Sequence, residues 1–143
     1  MANERILLVD DEVDFTEALS KRLRARGMTV HTAPDGYTAL EVAAKERLDA
    51  IVLDLKMPGM DGLETLRRLM NDDKDLQVIL LTGYASIKSS VQAVREGAVD
   101  VLEKPVDMAL LLEKIGAAAA QRIVLLEKRS QESIEDILQK KSW

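Results

Sequence analysis

The chain has 143 residues, of which 47% are hydrophobic and 31% are charged, and it contains no cysteine. This length and composition predict one globular domain and argue against wholesale disorder. The absence of cysteine excludes disulfides, thiol catalysis and cysteine-ligated metal sites. A formal charge of −5 argues against a stand-alone protein that binds nucleic acid directly, because such proteins usually carry a basic face.

The sequence predicts neither a secreted nor a membrane protein. Its first residues lack the positive region, apolar run and small-residue cleavage site of a secretory signal. The most apolar late stretch, residues 108–126, is interrupted by charged and polar side chains and is too polar to cross a bilayer. We therefore expect a cytoplasmic protein without a membrane partner.

Short aliphatic runs alternate along the chain with stretches of helical periodicity. Five strands are predicted, at 6–9, 28–32, 50–53, 78–81 and 99–102. Apolar residues spaced by three or four predict a helix after each strand, with Gly27 and Gly97 at positions typical of helix ends. This alternation predicts an α/β fold in which helices cover both faces of a parallel sheet, which is a doubly wound architecture.

Polar side chains follow four of the predicted strands. Asp10 and Asp11 follow the first strand, Asp54 the third, Thr82 the fourth and Lys104 the fifth. Ligands of open parallel sheets bind beyond the carboxyl ends of the strands. We therefore expect these five residues to form one site.

The chemistry of this set suits phosphoryl transfer. Converging carboxylates repel each other, and Mg²⁺ relieves the repulsion because it is a hard cation that prefers oxygen ligands. One carboxylate can then act as the nucleophile, while Lys104 neutralises the transferred oxygens and Thr82 donates a hydrogen bond. Taken singly, each residue has a plainer explanation, with Asp10 or Asp11 as a helix cap and Lys104 in an exposed turn.

The same residues belong to longer motifs, namely Asp10-Asp11-Glu12, the run at 53–62, Leu81-Thr82-Gly83-Tyr84 and Glu103-Lys104-Pro105. Together these motifs resemble the response-regulator receiver domain over about residues 4–120, and receivers of the NtrC-type activators are the most similar. The resemblance implies a CheY-like, flavodoxin-like fold, with a five-stranded parallel sheet in the order 2-1-3-4-5.

The resemblance also implies an acceptor and a metal site. Asp54 would be the phosphoacceptor, supplied by the phosphohistidine of a histidine kinase. Asp11, Asp54 and the backbone carbonyl of Lys56 would bind Mg²⁺ directly, and Asp10 would act mainly through a water molecule. Such a chain is a regulatory domain that catalyses only its own phosphorylation and dephosphorylation.

The remaining motif residues would act on the phosphoryl group. Lys104 would contact it, Thr82 would move to hydrogen-bond it, and the Lys104–Pro105 peptide bond would be cis. Receivers usually have Tyr or Phe three residues before this lysine, where the present chain has Val101. Without a ring to turn, we expect Thr82 and the loop after it to carry the signal alone, or Tyr84 to substitute in part.

The end of the chain continues the helical pattern beyond an ordinary receiver. Apolar residues recur mostly every three or four positions, at Leu111, Leu112, Ile115, Ala119, Ile123, Leu126, Ile134, Ile137 and Leu138. We predict a receiver over 1–121 and a helical extension or linker over 122–143. The extension either continues the fifth helix as a linker or dimerising coil, which is favoured, or folds back as a separate helix.

The predicted function is that of a phosphoacceptor in two-component signalling, which switches binding to an output domain or target protein. A homodimer is expected through the C-terminal helix or through the face of the fourth helix, fifth strand and fifth helix. The alternative is a phosphorylation-independent scaffold or dimerisation module, similar to a pseudo-receiver, and Val101 favours the scaffold. A phosphatase of the haloacid-dehalogenase type needs Asp-x-Asp after its first strand, but Glu12 occupies the position two after Asp10.

Overall fold

The computed structural model describes residues 3–57, 59–83 and 87–140. Strands and helices alternate through this part of the chain, as the sequence predicted. The elements are β1 Arg5–Val9, α1 Val13–Ala25, β2 Thr29–Ala33, α2 Gly36–Lys45, β3 Ala50–Leu53, α3 Gly62–Asp72, β4 Val78–Thr82, α4 Ile87–Arg95, β5 Asp100–Glu103 and α5 Met108–Lys140.

All five strands are parallel and lie in the order β2-β1-β3-β4-β5. The predicted fold class is therefore confirmed. Strands β2 and β5 are each shifted by one residue from the sequence prediction, because ladder hydrogen bonds decide where a strand ends and apolar runs do not report them. The Lys104–Pro105 bond is cis.

Alternate side chains of the strands build two cores, one on each face of the sheet. Ile6 and Leu8 point to the face that α1 and α5 cover, and Leu7 and Val9 point to the face covered by the other three helices. Both sets are almost fully buried, which explains why these strands read as continuous aliphatic runs instead of an alternating pattern.

Helix α5 continues without a break from Met108 to Lys140. The continuous-helix alternative is therefore confirmed over these residues, and a separate folded-back helix is wrong. The helix crosses the predicted boundary between 121 and 122, and that division of the chain stays a prediction. None of the helices in the described ranges has the length and apolar character that a bilayer crossing needs.

Two stripes of side chains run side by side along α5. The inner stripe faces the rest of the domain and consists of Leu111, Ile115, Ala118, Arg122, Leu125 and Arg129, which are buried, half-buried or paired with the domain. The outer stripe consists of exposed apolar residues, namely Ile123, Leu126, Ile134, Ile137 and Leu138. The apolar pattern of the sequence therefore mixed residues that pack on the domain with residues that remain exposed.

Two ion pairs attach the extension of α5 to the loop between α3 and β4. Arg122 Nη2 lies 2.9 Å from Asp73 Oδ2, and the guanidinium of Arg129 donates to both carboxylate oxygens of Asp75. The side chain of Asp75 is only 6% exposed, and the Arg129 hydrogen bonds hold the pKa of this carboxyl below its ordinary value. We call these two pairs the arginine clamp.

Replacing Arg129 by methionine is expected to lower the free energy of unfolding, since it leaves the Asp75 carboxylate, whose side chain is only 6% exposed, without its cation. The matched control is Asp136→Asn, which breaks the ion pair with Lys140 on the same helix. Both partners of that pair are mostly exposed, so the control should change stability by less than about 0.5 kcal/mol. Denaturant titration measures both, and equal changes would contradict the prediction.

Candidate functional site

Backbone hydrogen bonds continue the strand ladders by one residue and place three predicted site residues at one edge of the sheet. The Asp10 N–H donates to Ala33 O at 3.1 Å, and the Asp54 N–H donates to Val9 O at 2.9 Å. Lys104 is fixed similarly, because its N–H donates to the backbone oxygen of Thr82, the last residue of β4, at 2.9 Å. The carboxyl ends of β1, β3 and β5 thus bring their following residues together, as expected for a parallel sheet.

Three carboxylates meet at this edge. Oxygens of Asp10, Glu12 and Asp54 lie within 4.8 Å of one another. The side chains of Asp10 and Asp54 are 5% and 6% exposed, whereas that of Glu12 is 64% exposed. Negative charges at this separation and burial repel strongly, so the group needs a cation.

The ammonium group of Lys104 supplies a positive charge. Its Nζ lies 2.6 Å from Asp10 Oδ2, 2.9 Å from Glu12 Oε1 and 4.0 Å from Asp54 Oδ2. It also lies 4.1 Å from the centroid of the Phe15 ring, which is within the range of a cation–π interaction. Burial by itself lowers the pKa of Lys104, but the hydrogen bonds to Asp10 and Glu12 outweigh it and raise the pKa above the ordinary 10.5.

Asp54 is the carboxylate at the centre of the group. Its Oδ1 lies 3.4 Å from the backbone nitrogen of Lys56, and the Thr82 side chain is a hydrogen-bond partner. Burial and the charge of Asp10 raise the pKa of Asp54 above its ordinary 3.8, against the opposing effect of Lys104. A buried carboxylate held between a lysine, a hydroxyl and a backbone N–H has the surroundings that a nucleophile toward phosphorus needs.

The structure brings most of the predicted site residues together. Asp10, Asp54, Thr82 and Lys104 lie together at the carboxyl edge of the sheet, and we call this group the pocket. Lys56 follows in the loop after β3. Asp11 is exposed and lies outside the cluster of three carboxylates. Residues 58 and 84, which belong to the predicted motifs, lie outside the described part of the chain.

Glu12 is a site residue for which the sequence predicted no role. It precedes the first residue of α1, as the N-cap residue, yet its side chain makes no cap hydrogen bond and turns to Lys104 instead. Its position next to Asp10 and Asp11 was visible in the sequence. The direction of its side chain was not, because residue spacing does not specify which way an exposed side chain at a helix start turns.

The donor set fits a magnesium ion. Carboxylate oxygens are hard ligands of the kind that Mg²⁺ prefers, and this ion keeps several waters when proteins bind it. Two of the three oxygens belong to the predicted metal residues Asp10 and Asp54, and Glu12 adds a third. The cluster can therefore hold a divalent cation at the carboxyl edge of the sheet.

A close backbone contact fixes the loop after Asp54. Gly62 begins α3, and its N–H donates to Leu55 O at 2.9 Å. A Cβ atom at Gly62 would lie 2.4 Å from Asp54 O and 2.5 Å from Leu55 Cα. Asp61 caps the same helix by accepting a hydrogen bond from Glu64 N at 2.8 Å. The start of α3 thus packs directly on the backbone of the central carboxylate.

Comparisons with known proteins identify the family and agree with this fold. The family model for the response regulator receiver domain matches residues 6–116. The C4-dicarboxylate transport transcriptional regulatory protein DctD of Pseudomonas aeruginosa is 39% identical over 129 residues, which are 90% of this chain and 28% of DctD. The response regulator MprA of Mycobacterium leprae is 42% identical over 113 residues, which are 79% of this chain and 50% of MprA.

Solved structures of response regulators and receiver domains have the same fold. A CheY-like receiver domain protein from Methanospirillum hungatei JF-1 matches with a TM-score of 0.80 and 30% identity, covering 85% of this chain and 97% of its own. NtrX from Brucella abortus matches with a TM-score of 0.82 and 29% identity, covering 90% of this chain and 30% of NtrX. The present chain thus spans at most half of DctD, MprA and NtrX.

The chain belongs to the response regulator receiver domain family. Receiver domains are the regulatory, phosphoaccepting part of two-component response regulators, and they bind Mg²⁺ in general. The family predicted from the sequence motifs is therefore confirmed.

Proposed function

We propose that this chain accepts a phosphoryl group on Asp54, with Lys104 and Thr82 as the residues that contact the transferred oxygens. The observation that carries the proposal is the placement of the buried Asp54 carboxylate at the sheet edge, 4.0 Å from the Lys104 ammonium and hydrogen-bonded to the Thr82 side chain. Positive charge and oriented donors beside a nucleophile are most of what phosphoryl transfer requires.

The reaction exchanges one bond to phosphorus for another. An oxygen of the Asp54 carboxylate forms the new O–P bond while the P–N bond of a donor phosphohistidine breaks, and the imidazole nitrogen leaves with the bonding pair. Lys104 stays protonated and offsets the charge of the equatorial oxygens. The same residues would admit a small donor such as acetyl phosphate, and hydrolysis of the acyl phosphate would return Asp54 to its free form.

We assign the metal ligands as the family motif implies. Asp11, Asp54 and the Lys56 carbonyl would bind Mg²⁺ directly, and Asp10 would bind through water. The bound ion would neutralise charge on the phosphoryl oxygens. Asp10 and Asp54 already share a buried oxygen cluster, and Glu12 is an additional donor in it. The exposed position of Asp11 leaves its side chain free to turn toward the cluster.

The proposed partners are a histidine kinase as donor and an output domain or target protein as receiver of the signal. Support comes from the family and from the lengths of its members, because DctD and MprA extend well beyond the region matched here. A phosphorylated Asp54 adds about −1.5 to −2 charge units. The cytoplasmic location stays a prediction.

Intact mass after exposure to acetyl phosphate with Mg²⁺ tests the proposal. We expect the wild-type chain to gain one phosphoryl group and Asp54→Asn to gain none. Asp61→Asn is the matched control, since Asp61 lies in the same loop and caps α3, and it should be labelled like the wild type. An unlabelled wild-type chain, or a labelled Asp54→Asn chain, would exclude Asp54 as the acceptor.

A phosphorylation-independent scaffold is the second candidate function, and Val101 favours it. This residue is half-buried against the core on the face of α2, α3 and α4 and occupies the position of the usual aromatic residue. If binding of a partner is identical for the wild type and for Asp54→Asn, both before and after acetyl phosphate treatment, the scaffold is supported.

We also propose that two copies of the chain associate, through the outer stripe of α5 or through the face of α4, β5 and α5. Ile137 is half exposed on the outer stripe, and Val94 is 56% exposed on α4. Apolar side chains grouped in this way are typical of an association surface.

Light scattering on the full chain is expected to give a dimer mass. Ile137→Glu should restore the monomer if the outer stripe forms the interface, and Val94→Glu should do so if the α4 face forms it. Gln131→Glu adds the same charge at an exposed polar position and should leave the mass unchanged. A monomeric wild-type chain would exclude both interfaces.

A further inference from the structure

The ammonium group of Lys104 is held on the α1 side of the pocket. It contacts Asp10 at 2.6 Å and Glu12 at 2.9 Å, and it lies 4.1 Å from the centre of the Phe15 ring. Its distance to Asp54 Oδ2 is 4.0 Å, which is too long for a hydrogen bond. In the proposed function this same group contacts a phosphoryl group on Asp54, so it has to give up contacts on the α1 side.

The side chain of Glu12 has no structural task in starting α1. Its carbonyl accepts hydrogen bonds from Thr16 N and Thr16 Oγ1, each at 3.0 Å, and its N–H donates to Asp10 Oδ1 at 2.9 Å. These contacts are made by the backbone and would survive a change of side chain. The carboxylate makes no cap hydrogen bond and instead accepts from Lys104 Nζ.

Glu12 and Asp10 differ in how easily they release the lysine. Asp10 is almost fully buried, while the Glu12 side chain is largely exposed. An ion pair with one exposed partner is screened by water and contributes little to stability, so it dissociates readily. A phosphoryl group on Asp54 competes for Lys104 through its own charge and acceptor oxygens. The difference in free energy between the contacts to Asp10 and Glu12 and the contacts to the phosphoryl group limits how far the equilibrium position of Lys104 shifts.

We propose that Glu12 is a positioning residue, which retains Lys104 on the α1 side of the pocket in the unphosphorylated protein and thereby slows phosphoryl transfer to Asp54. The inference rests on the proposed function of Asp54. It gives Glu12 a role distinct from metal binding, because Glu12 acts on the lysine that meets the transferred group.

Three variants distinguish the loss of the Glu12–Lys104 contact from a general change in charge near the site. Glu12→Gln removes both the negative charge and the ion pair with Lys104. Glu12→Asp keeps the charge but is one methylene shorter, so its carboxylate no longer reaches Nζ. Asp14→Asn removes a charge from the exposed first turn of α1 and leaves the Glu12–Lys104 pair in place.

The first measurement is the rate constant of phosphorylation by acetyl phosphate, followed by intact mass at a Mg²⁺ concentration that saturates each variant. Glu12→Gln and Glu12→Asp should both react about two to five times faster than the wild type, which is the range that a partly exposed ion pair can supply. Asp14→Asn should react at the wild-type rate.

The second measurement requires neither metal nor phosphorylation. Phe15 is the single phenylalanine of the chain, so its ring protons are assigned without ambiguity in NMR spectra. The wild type should show a nuclear Overhauser effect between these protons and the Cε protons of Lys104. The effect should weaken in both Glu12 variants and persist in Asp14→Asn.

The outcomes distinguish the inference from the proposed function. A wild-type chain that is not labelled on Asp54 contradicts the proposed function itself. If the wild type is labelled but Glu12→Asp reacts at its rate, or if Asp14→Asn reacts as fast as Glu12→Gln, general charge explains the effect and the inference is wrong. An unchanged nuclear Overhauser effect between Lys104 and Phe15 in Glu12→Asp overturns the inference as well.

Discussion

Replacing Gly62 by alanine is expected to destabilise the protein by at least about 3 kcal/mol, which corresponds to a fall in Tm of roughly 10 °C. The added Cβ would lie within 2.8 Å of three backbone atoms of Asp54 and Leu55. Backbone atoms cannot move aside as a flexible side chain can, so α3 or the loop after β3 must shift. Because Asp54 is one of these residues, the rate of its phosphorylation should fall as well.

Gly116→Ala is the matched control for this prediction. Gly116 lies in α5, and a Cβ there would meet nothing within 4 Å. Alanine favours a helix over glycine by about 0.5–1 kcal/mol, so this variant should be slightly more stable than the wild type. Thermal and denaturant unfolding measure both changes. A Gly62→Ala protein as stable as the control would mean that the contact relaxes freely.

Replacing Lys104 by methionine is expected to lower the free energy of unfolding by about 2–4 kcal/mol at neutral pH. The substitution keeps most of the side-chain volume but leaves the buried carboxylates of Asp10 and Asp54 without their cation, and uncompensated buried charge is strongly destabilising. Lys114→Met is the control. Lys114 pairs with Asp100 at 2.9 Å, but both side chains are about one-third exposed, so its loss should change stability much less than the loss of Lys104.

The destabilisation by Lys104→Met should become smaller as the pH falls. The pKa of Asp54 in the folded protein is above its ordinary 3.8 because of burial and the charge of Asp10, and Lys104 opposes that rise. Without the lysine the pKa rises further. The folded state then binds more protons than the unfolded state in the range above 3.8, so stability decreases as the pH rises through that range. Unfolding at several pH values measures this, and a penalty that grows toward acidic pH would contradict it.

The sequence sufficed to predict the fold and the location of the site, for a physical reason. Asp10, Asp54 and Lys104 each come directly after a strand, and parallel strands in one sheet place their carboxyl ends at one edge. The aliphatic runs that define those strands are buried on both faces, so the pattern is strong. Once the strand ends were known, Asp10, Asp54 and Lys104 had to lie close together.

The contacts inside the site could not be predicted in the same way. Asp11 and Glu12 are neighbours in the chain, yet Asp11 is exposed away from the cluster while the Glu12 carboxylate reaches Lys104. That difference depends on where α1 begins and on which way each side chain turns. Neither is encoded in spacing, because a helix start is uncertain by one or two residues.

The extension of α5 shows a second limit of sequence patterns. Its domain-facing stripe includes Arg122 and Arg129, which hydrophobic periodicity cannot recognise as inward-facing. Their partners Asp73 and Asp75 lie in a loop about fifty residues earlier in the chain. Only the three-dimensional structure brings these charges together, so the pattern alone pointed to the exposed residues of the outer stripe.

The arginine clamp has a consequence for anything joined to the end of α5. The helix is attached to the loop between α3 and β4 as far as Arg129. The eleven residues from 130 to 140 extend the helix by about 16 Å more at the helical rise. The rest of the domain therefore sets the direction of this end of α5. Deleting or inserting a single residue among these eleven would rotate any segment that follows them by about 100° around the axis of α5. The number of residues in the helix therefore determines which face of that segment is turned toward the domain.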